Sequence, residues 1–250
     1  MNRPSFSSHT TQSIASVFSE LDYQALGSVY CEEGGDAFWK DRRKPCQQLG
    51  TNVAKALKGR LSPAGRSLYI GAGVTEIPPL IMETLELARQ VFPYNLRASE
   101  VEVLNQACQK AGITFFPQPA ETATGHFDHL WLVSVLNDPE RFPELSALSY
   151  NRADPIRFNP IAFTKERHIM WDMLSRCMMK LRGAALVTTT IEEEPWIAHW
   201  CETHEIPFRM ETKTYPTALV GDPICFIWVG QENRPTRSSD PKREKGIDRR

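Results

Sequence analysis

Two glycines, Gly71 and Gly73, close an apolar run in the stretch SLYIGAGVTEIPPLIMETL, residues 67–85. A strand that leads into a glycine turn and then a helix lets a ligand approach the backbone closely. No Gly-Lys-Ser or Gly-Lys-Thr follows Gly73, so the loop is not a phosphate-binding P-loop. Glu76 takes the third small position of the dinucleotide fingerprint, where a carboxylate would repel a pyrophosphate. The loop therefore predicts a ligand without a pyrophosphate, and a tight turn with no ligand is the alternative.

The acid at the end of the second predicted strand is a candidate for binding ribose hydroxyls. The stretch YNLRASE ends at Glu100, and Glu102 takes this role if the strand ends two residues later. A carboxylate at that edge of a sheet accepts hydrogen bonds from both hydroxyls of a ribose. The alternative is an ordinary solvated glutamate at the start of the following helix.

Polar residues also follow the strand predicted in DHLWLVSVLN. Ligands of open parallel sheets lie outside the carboxyl ends of the strands, and Ser134, Asn137 and Asp138 fall at or just beyond that end. Asp138 is suited to remove a proton from an acceptor hydroxyl or amine. A metal held by Asp138 and Glu192 would need more oxygen ligands than the sequence supplies, so we predict no metal site.

Two other motifs have structural interpretations. His126 and His129 form an H-x-x-H pair at the beginning of the same strand, away from the expected site, and we expect them to be structural. In TTTIEEEP, Thr190 and Glu193 have the spacing of a capping box at the start of a helix. Neither motif is predicted to do chemistry.

A regular alternation of strand-like and helix-like patterns, beginning at residue 67, positions these residues. Such an alternation predicts βαβ units and a parallel sheet. The last two strand-like runs, FRMETKTYP and PICFIWVG, have no helix between them, which indicates an antiparallel hairpin at one edge. Residues 1–60 are predicted to form an N-terminal helical segment, because the apolar positions of TNVAKALKGRL recur at helical intervals.

The order of these motifs resembles the class I S-adenosylmethionine-dependent methyltransferases. YIGAG matches the glycine loop of that family, ASE its acid, FDHLWLVSVLN its fourth strand and TYPTALVGDPICFIWVG its terminal hairpin, over residues 67–230. The resemblance implies an α/β fold, a three-layer α/β/α sandwich with a mostly parallel seven-stranded sheet. It also implies methyltransferase activity with S-adenosylmethionine as the cofactor.

The resemblance also assigns site residues. It implies a cofactor bound by Tyr69, Gly71, Ala72, Gly73, Thr75, Glu100, Gln118 and Ser134. It places the transferred methyl group near Asn137 and Asp138, the predicted catalytic residues. The chain departs from the family where Tyr69 replaces an acid before the first glycine and Thr75 takes the third small position. The family also has an acid after its third strand, and this chain has Gln118 at that position. These departures leave open a second interpretation, a non-catalytic binding or scaffold protein that has kept the fold.

The amino-acid composition limits which classes of partner the protein is expected to have. The 250 residues carry 29 basic and 30 acidic side chains, a net charge of −1, which favours a small-molecule acceptor over nucleic acid. Six scattered cysteines without a C-x-x-C pair are typical of reduced thiols. The first residues lack the apolar core of a secretory signal, and no apolar run is long enough to span a membrane. We therefore expect a cytoplasmic protein without a membrane partner.

Two segments fall outside the regular alternation. Residues 138–165 contain four prolines and mix arginines with aromatic residues, so we expect an insertion that shapes the acceptor site. A surface arm or a contact in a homodimer is the alternative. Residues 231–250 are predicted to be a disordered tail with a net positive charge. That tail and the basic stretch KDRRKP leave nucleic-acid methylation as a third, less favoured interpretation.

Overall fold

The computed structural model describes residues 5–30, 35–216 and 222–230. Residues 8–58 contain four helices, and strands alternate with helices from residue 66 onward. The strands are β1 (Arg66–Ile70), β2 (Gln90–Tyr94), β3 (Phe127–Leu132), β4 (Leu181–Thr190), β5 (Phe208–Met210) and β6 (Ile224–Val229). The helices are α1 (Ser8–Glu20), α2 (Tyr23–Tyr30), α3 (Gly35–Lys40), α4 (Arg43–Lys58), α5 (Ile77–Leu87), α6 (Ala98–Cys108), α7 (Pro143–Ser149), α8 (Pro160–Met178) and α9 (Glu194–Thr203).

The strands form one sheet in the order β2-β1-β3-β4-β6-β5. β1 pairs in parallel with β2 and β3, and β3 pairs in parallel with β4. β6 runs antiparallel between β4 and β5. The predicted α/β fold, with a mostly parallel sheet and an antiparallel terminal hairpin, is confirmed. Because the strand order reverses at β1, the boundary between β1 and β3 is the switch point where such sheets bind ligands.

The predicted seventh strand is absent from the described residues, whose sheet has six. The run ITFFPQ, residues 113–118, has the apolar pattern of a third strand, but it meets β2 only at one parallel bridge, between Phe116 and Tyr94. Pro117 follows Phe116 and has no backbone N–H, so the ladder of hydrogen bonds cannot continue. The chain therefore passes along the edge of the sheet without forming a strand there.

Hydrophobic side chains alternate between the two faces of the sheet. In β1, Tyr69 belongs to a buried cluster that includes residues of α1, α4 and α5. Leu68 and Ile70 belong to a second cluster with residues of α8 and α9. A period of two is expected when helices cover both faces of a sheet. The ends of the central strands are thus supported by packed helices on both sides.

A buried polar network lies on the α5 face of the sheet. Glu83 accepts hydrogen bonds from Tyr69 Oη at 2.6 Å and from Arg89 Nε at 3.0 Å, and it contacts His129 Nδ1 at 3.0 Å. Burial opposes the ionisation of Glu83, but His129 and Arg89 outweigh burial and lower the pKa of this carboxyl. His129 Nε2 also hydrogen bonds to Thr188 Oγ1 at 3.0 Å. His129 is therefore a core residue within a structural network.

The segment predicted as an insertion, residues 138–165, contains α7 and the first turns of α8. Asn159 caps α8, because its side chain accepts hydrogen bonds from the backbone N–H groups of Ile161 and Ala162. Pro160 takes the first helical position, where a backbone N–H has no hydrogen-bond acceptor within the helix and proline therefore costs nothing. The helix thus begins inside the segment that is predicted as an insertion.

Five cysteines are buried and carry free thiols: Cys46, Cys108, Cys177, Cys201 and Cys225. The sixth, Cys31, and the predicted tail at residues 231–250 lie outside the described residues. No helix in the described part of the chain has the length and apolar composition needed to cross a bilayer. Across residues 5–30, 35–216 and 222–230, no three His, Cys, Asp or Glu side chains form a group that could hold a metal ion.

Candidate functional site

A cavity of about 520 Å³ opens at the carboxyl ends of β1, β2 and β3. The loop after β1 contributes Gly71, the loop after β2 contributes residues 95–97, and the loop after β3 contributes Ser134 and Val135. Residues 118–121, which follow the Phe116 bridge, complete one wall. Cavities of this size hold small molecules, and this one lies at the switch point of the sheet.

Four residues predicted from the sequence line this cavity: Gly71, Gln118, Ser134 and Asp138. Gly71 has φ +68°, in the left-handed region that glycine adopts without strain. A Cβ added to Gly71 would lie 3.1 Å from Val135 Cγ2, so a side chain there would press on the cavity wall. Gly71 itself is exposed and lines the cavity, so its backbone is open to close approach by a ligand.

The six other predicted residues lie outside the described cavity wall: Tyr69, Ala72, Gly73, Thr75, Glu100 and Asn137. Tyr69 is wholly buried in β1, where its ring stacks on Trp131. Ala72 is also buried, and its backbone N–H donates to the carbonyl of Tyr94. Thr75 lies against α4, since its carbonyl oxygen contacts a glycine of that helix. After Gly71 the loop thus turns away from the cavity and packs into the protein.

Glu76 folds back onto this loop. Its Oε2 accepts a hydrogen bond from the backbone N–H of Gly73 at 2.8 Å, across the 3₁₀ turn Val74–Glu76. Burial raises the pKa of Glu76 to about 7; the hydrogen bond from Gly73 opposes this rise and repulsion by Glu100 adds to it. The loop is therefore closed by a buried carboxyl group that titrates near neutral pH.

The prediction that Glu100 ends the second strand is wrong. β2 ends at Tyr94, because Asn95 Oδ1 accepts the backbone N–H of Arg97 and turns the chain, and Glu100 lies in the first turn of α6. The Glu100 carboxylate is wholly buried, and it accepts hydrogen bonds from Tyr30 Oη at 2.6 Å and Asn95 Nδ2 at 3.0 Å. Protein groups thus bind Glu100, and Asn95 takes the cavity position expected for it.

The residues that the loop after β2 contributes to the cavity are not among those predicted from the sequence. Asn95, Leu96 and Arg97 line it, and Arg97 Nη2 pairs with Glu140 Oε2 at 2.6 Å. Glu140 belongs to the loop after β3, so this ion pair joins two sides of the cavity. A signal was present in the sequence, because Asn95 is the first polar residue after the apolar run VFPY.

Glu193 has a different role from the predicted capping box. Its carboxylate accepts the backbone N–H groups of Ser134, Val135 and Leu136 at 2.9, 2.6 and 2.6 Å. Thr190 Oγ1 donates to the same carboxylate at 3.2 Å. Helix α9 begins at Glu194, directly after Glu193. Consecutive N–H groups that converge on one anion form a nest. Here the nest fixes the loop that carries Ser134 and Val135 into the cavity wall.

Ser134 combines backbone strain with an unpaired side chain. Its φ is +56°, a left-handed conformation that costs a residue with a side chain about 1–2 kcal/mol. Its Oγ is buried and has no hydrogen-bond partner in the part of the chain that the structure describes. Strain and unpaired buried groups concentrate at functional sites. Ser134 is therefore a strong candidate for contact with a ligand.

Ser134→Gly is expected to stabilise the fold by about 1 kcal/mol. Glycine relieves about 1–2 kcal/mol of left-handed strain, and its greater freedom in the unfolded chain offsets about 0.5–1 kcal/mol of that gain. Urea unfolding followed by circular dichroism measures the change. The control Asn151→Gly, at φ +53°, should gain less, because asparagine tolerates this conformation. A lower urea midpoint for Ser134→Gly would contradict the assignment of strain to Ser134.

No model of a known protein family matches the sequence, and no curated protein is significantly similar to it. Solved structures that resemble the chain include methyltransferases. The magnesium protoporphyrin IX methyltransferase of Synechocystis PCC 6803, crystallised with bound S-adenosylmethionine, is 14% identical over 90% of this chain and 99% of its own, with a TM-score of 0.49. The S-adenosylmethionine-dependent O-methyltransferase of Thermotoga maritima is 12% identical over 72% of this chain and 64% of its own, with a TM-score of 0.42. The tRNA m1G37 methyltransferase of M. jannaschii is 6% identical over 72% of this chain and 49% of its own, with a TM-score of 0.43.

Proposed function

We propose that the protein is an S-adenosylmethionine-dependent methyltransferase that acts on a small-molecule acceptor. The place of the cavity carries this proposal, because it opens where β1 and β3 meet, directly after the glycine loop. This is the switch point at which parallel sheets bind nucleotide-like ligands. The resemblance in sequence to class I methyltransferases predicts the same loop, and it predicts the antiparallel hairpin formed by β5 and β6.

The residues of the cavity fit a cofactor with an adenosine part and a cationic part. Gly71 leaves the backbone open, and Ser134 Oγ is available for a hydrogen bond. Glu121 and Asp138 line the cavity, and neither has a salt-bridge partner among the described residues. Unpaired carboxylates favour a cation. S-adenosylmethionine, when bound, supplies an electrophilic methyl group on a positively charged sulfur.

Asp138 is the proposed base. Its Oδ1 accepts the backbone N–H of Glu140 at 3.0 Å, which holds the carboxylate at the cavity. The carboxylate of Asp138 would accept the proton that a hydroxyl or amine acceptor loses when it is methylated. Gly71, Gln118 and Ser134 are the proposed cofactor contacts, and Asn137 is proposed to act beside Asp138 on the acceptor.

Two other functions remain to be tested against this one. The closed glycine loop favours a non-catalytic binding protein, since Glu76 and Glu100 are both bound by groups of the protein itself. An endogenous cofactor found in the purified protein by mass spectrometry would exclude that interpretation. Nucleic-acid methylation has less support, because three acids of the cavity lining, Glu121, Asp138 and Glu140, outnumber its two arginines, Arg97 and Arg141.

Isothermal titration with S-adenosylmethionine and S-adenosylhomocysteine tests the proposal. Leu96 lines the cavity and is 55% exposed, so Leu96→Arg is expected to weaken binding of the cationic cofactor at least tenfold, about 1.4 kcal/mol. Leu148 is a matched control, because it is 48% exposed on α7 and does not line the described cavity. Leu148→Arg should leave the affinity unchanged. Absence of heat with both compounds would favour the non-catalytic interpretation instead.

A further inference from the structure

The first half of α8 and the turn before it expose apolar side chains to solvent. The buried side chains of α8 begin only at Met170, whereas Ile156 and Ile161 are 94% and 82% exposed. Ile156 lies in a turn that is closed by backbone hydrogen bonds to the carbonyl of Asp154. We call residues 154–161 the tip.

Exposure of this degree is unusual for large apolar side chains in this protein. Among the described residues, no other large apolar side chain is more than 57% exposed. Ile169, 43% exposed, lies two turns after Ile161 on the same side of α8 and extends the apolar surface of the tip. Apolar groups that are exposed together and flanked by polar residues mark contact with a protein or a membrane.

Cations flank the tip. Residues 152–168 contain four Lys or Arg and two Asp or Glu, although the whole chain has a net charge of −1. Arg152, Lys165 and Arg167 are exposed, and none of them forms a salt bridge with another described residue. The isoleucines of the tip therefore lie among positive charges that are available to an anionic partner.

Both acids of this stretch are engaged by the protein itself. Glu166 accepts the backbone N–H groups of Glu144 and Leu145, in the first turn of α7, at 3.0 and 2.9 Å. Asp154 accepts a backbone N–H of the tip at 2.9 Å and lies 3.6 Å from the guanidinium of Arg157. The two carboxylates thus hold the local fold, and the charge offered to a partner is positive.

The tip lies at the same edge of the sheet as the cavity. Helix α8 connects the parallel strands β3 and β4, so it begins near the carboxyl end of β3. The α7 helix, to which Glu166 is bound, begins two residues after Arg141 of the cavity lining. A partner that binds the tip is therefore brought close to the entrance of the cavity.

A lipid surface fits these features better than a folded protein. Two protruding side chains, on a turn and a helix end, need a partner of matching shape if that partner is rigid, whereas the headgroup layer of a bilayer deforms around them. Anionic lipids also attract neighbouring lysines and arginines. The apolar side chains and the cations of the tip then contribute to the same contact.

We propose that the tip binds the surface of an anionic lipid bilayer, with Ile156 and Ile161 inserted among the headgroups and Arg152, Lys165 and Arg167 against the lipid charges. The expectation of no membrane partner rests on the lack of a long apolar run, which a surface contact does not need. Binding is reversible, because two side chains bury little apolar surface. The contact does not depend on the proposed function.

Sedimentation of the full-length protein with lipid vesicles tests this contact. Wild-type protein is expected to bind vesicles of phosphatidylcholine with about 30% phosphatidylserine at least about fivefold more tightly than vesicles of phosphatidylcholine alone. The double variant Ile156→Ser/Ile161→Ser should weaken binding to the anionic vesicles at least about tenfold, because it removes the inserted apolar groups. Lys165→Gln/Arg167→Gln should also weaken that binding about tenfold and leave the weak binding to pure phosphatidylcholine unchanged.

Met179→Ser is the matched control. Met179 is 57% exposed and follows the last residue of α8, about 27 Å along the helix from Ile161, so this variant should bind anionic vesicles like the wild type. Both isoleucines of the tip are exposed, and their replacement by serine should leave the circular dichroism spectrum unchanged.

Three results would overturn the proposal. Wild-type protein that binds neither kind of vesicle, or both equally, has no surface for anionic lipid. Binding that persists in the isoleucine variant would come from another part of the chain, such as the basic residues 231–250. A dimer seen by light scattering, which the isoleucine variant dissociates and which binds no vesicles, would assign the tip to a contact between two copies of the chain.

Discussion

Glu193→Ala is expected to lower the free energy of unfolding by about 4 kcal/mol and to weaken ligand binding in the cavity. The carboxylate accepts the backbone N–H groups of Ser134, Val135 and Leu136. A buried N–H left without an acceptor costs about 1–3 kcal/mol, and this substitution leaves three of them. Ser134 and Val135 line the cavity, so the binding surface loosens together with the nest. Urea unfolding measures the first effect, and titration with S-adenosylhomocysteine measures the second.

Two control variants separate the hydrogen bonds of Glu193 from the general acidity of TTTIEEEP. Val135 and Leu136 both donate to Oε1, so Glu193→Gln keeps one oxygen for them and should cost only about 1–2 kcal/mol. Glu192→Ala removes an exposed neighbouring acid and should change stability by less than about 0.5 kcal/mol. If Glu193→Ala were as stable as Glu192→Ala, contacts other than the carboxylate would hold the loop.

Glu193 also shows where prediction from sequence ends. The spacing of Thr190 and Glu193 predicts a local cap, yet the carboxylate is used by backbone groups 57 to 59 residues earlier in the chain. Alternation of apolar residues depends on neighbours in sequence, so it predicts strands, helices and their order. The distant backbone groups that hydrogen bond to a given side chain are determined by packing. A local sequence pattern therefore does not predict them.

The same distinction separates the site residues that line the cavity from those that do not. The prediction of Ser134 and Asp138 required only the position where one strand ends, because the carboxyl ends of parallel strands meet at one edge of the sheet. The choice of Glu100 depended on where the second strand ends. The turn formed by Asn95 Oδ1 and the N–H of Arg97 stops that strand several residues before the acid. Because this turn ends the strand early, Asn95 lines the cavity and Glu100 does not.

Glu76→Gln is expected to stabilise the fold by about 3 kcal/mol above neutral pH and to leave stability near pH 4 unchanged. Burial and repulsion by Glu100 raise the pKa of Glu76 from 4.5 to about 7. Between these values the folded state keeps a proton that the unfolded state has lost, so wild-type stability falls as pH rises from about 4.5 to about 7. Each pKa unit is worth about 1.4 kcal/mol, which gives a total of about 3 kcal/mol. Glutamine keeps an oxygen for the N–H of Gly73 but has no proton to lose.

Urea unfolding near pH 4, 6 and 8 measures this difference between wild type and Glu76→Gln. Glu102→Gln is the matched control, because it changes an exposed glutamate on α6 and should leave the pH dependence of stability as it is. A difference between Glu76→Gln and wild type that stays constant with pH would mean that Glu76 ionises normally in the folded loop. If wild-type stability falls with rising pH as expected, then Glu76 lowers the stability of the fold at neutral pH. Glutamine at this position would not lower it. A residue that costs stability in a loop beside a cavity is typical of a functional constraint, since packing alone would favour the neutral side chain.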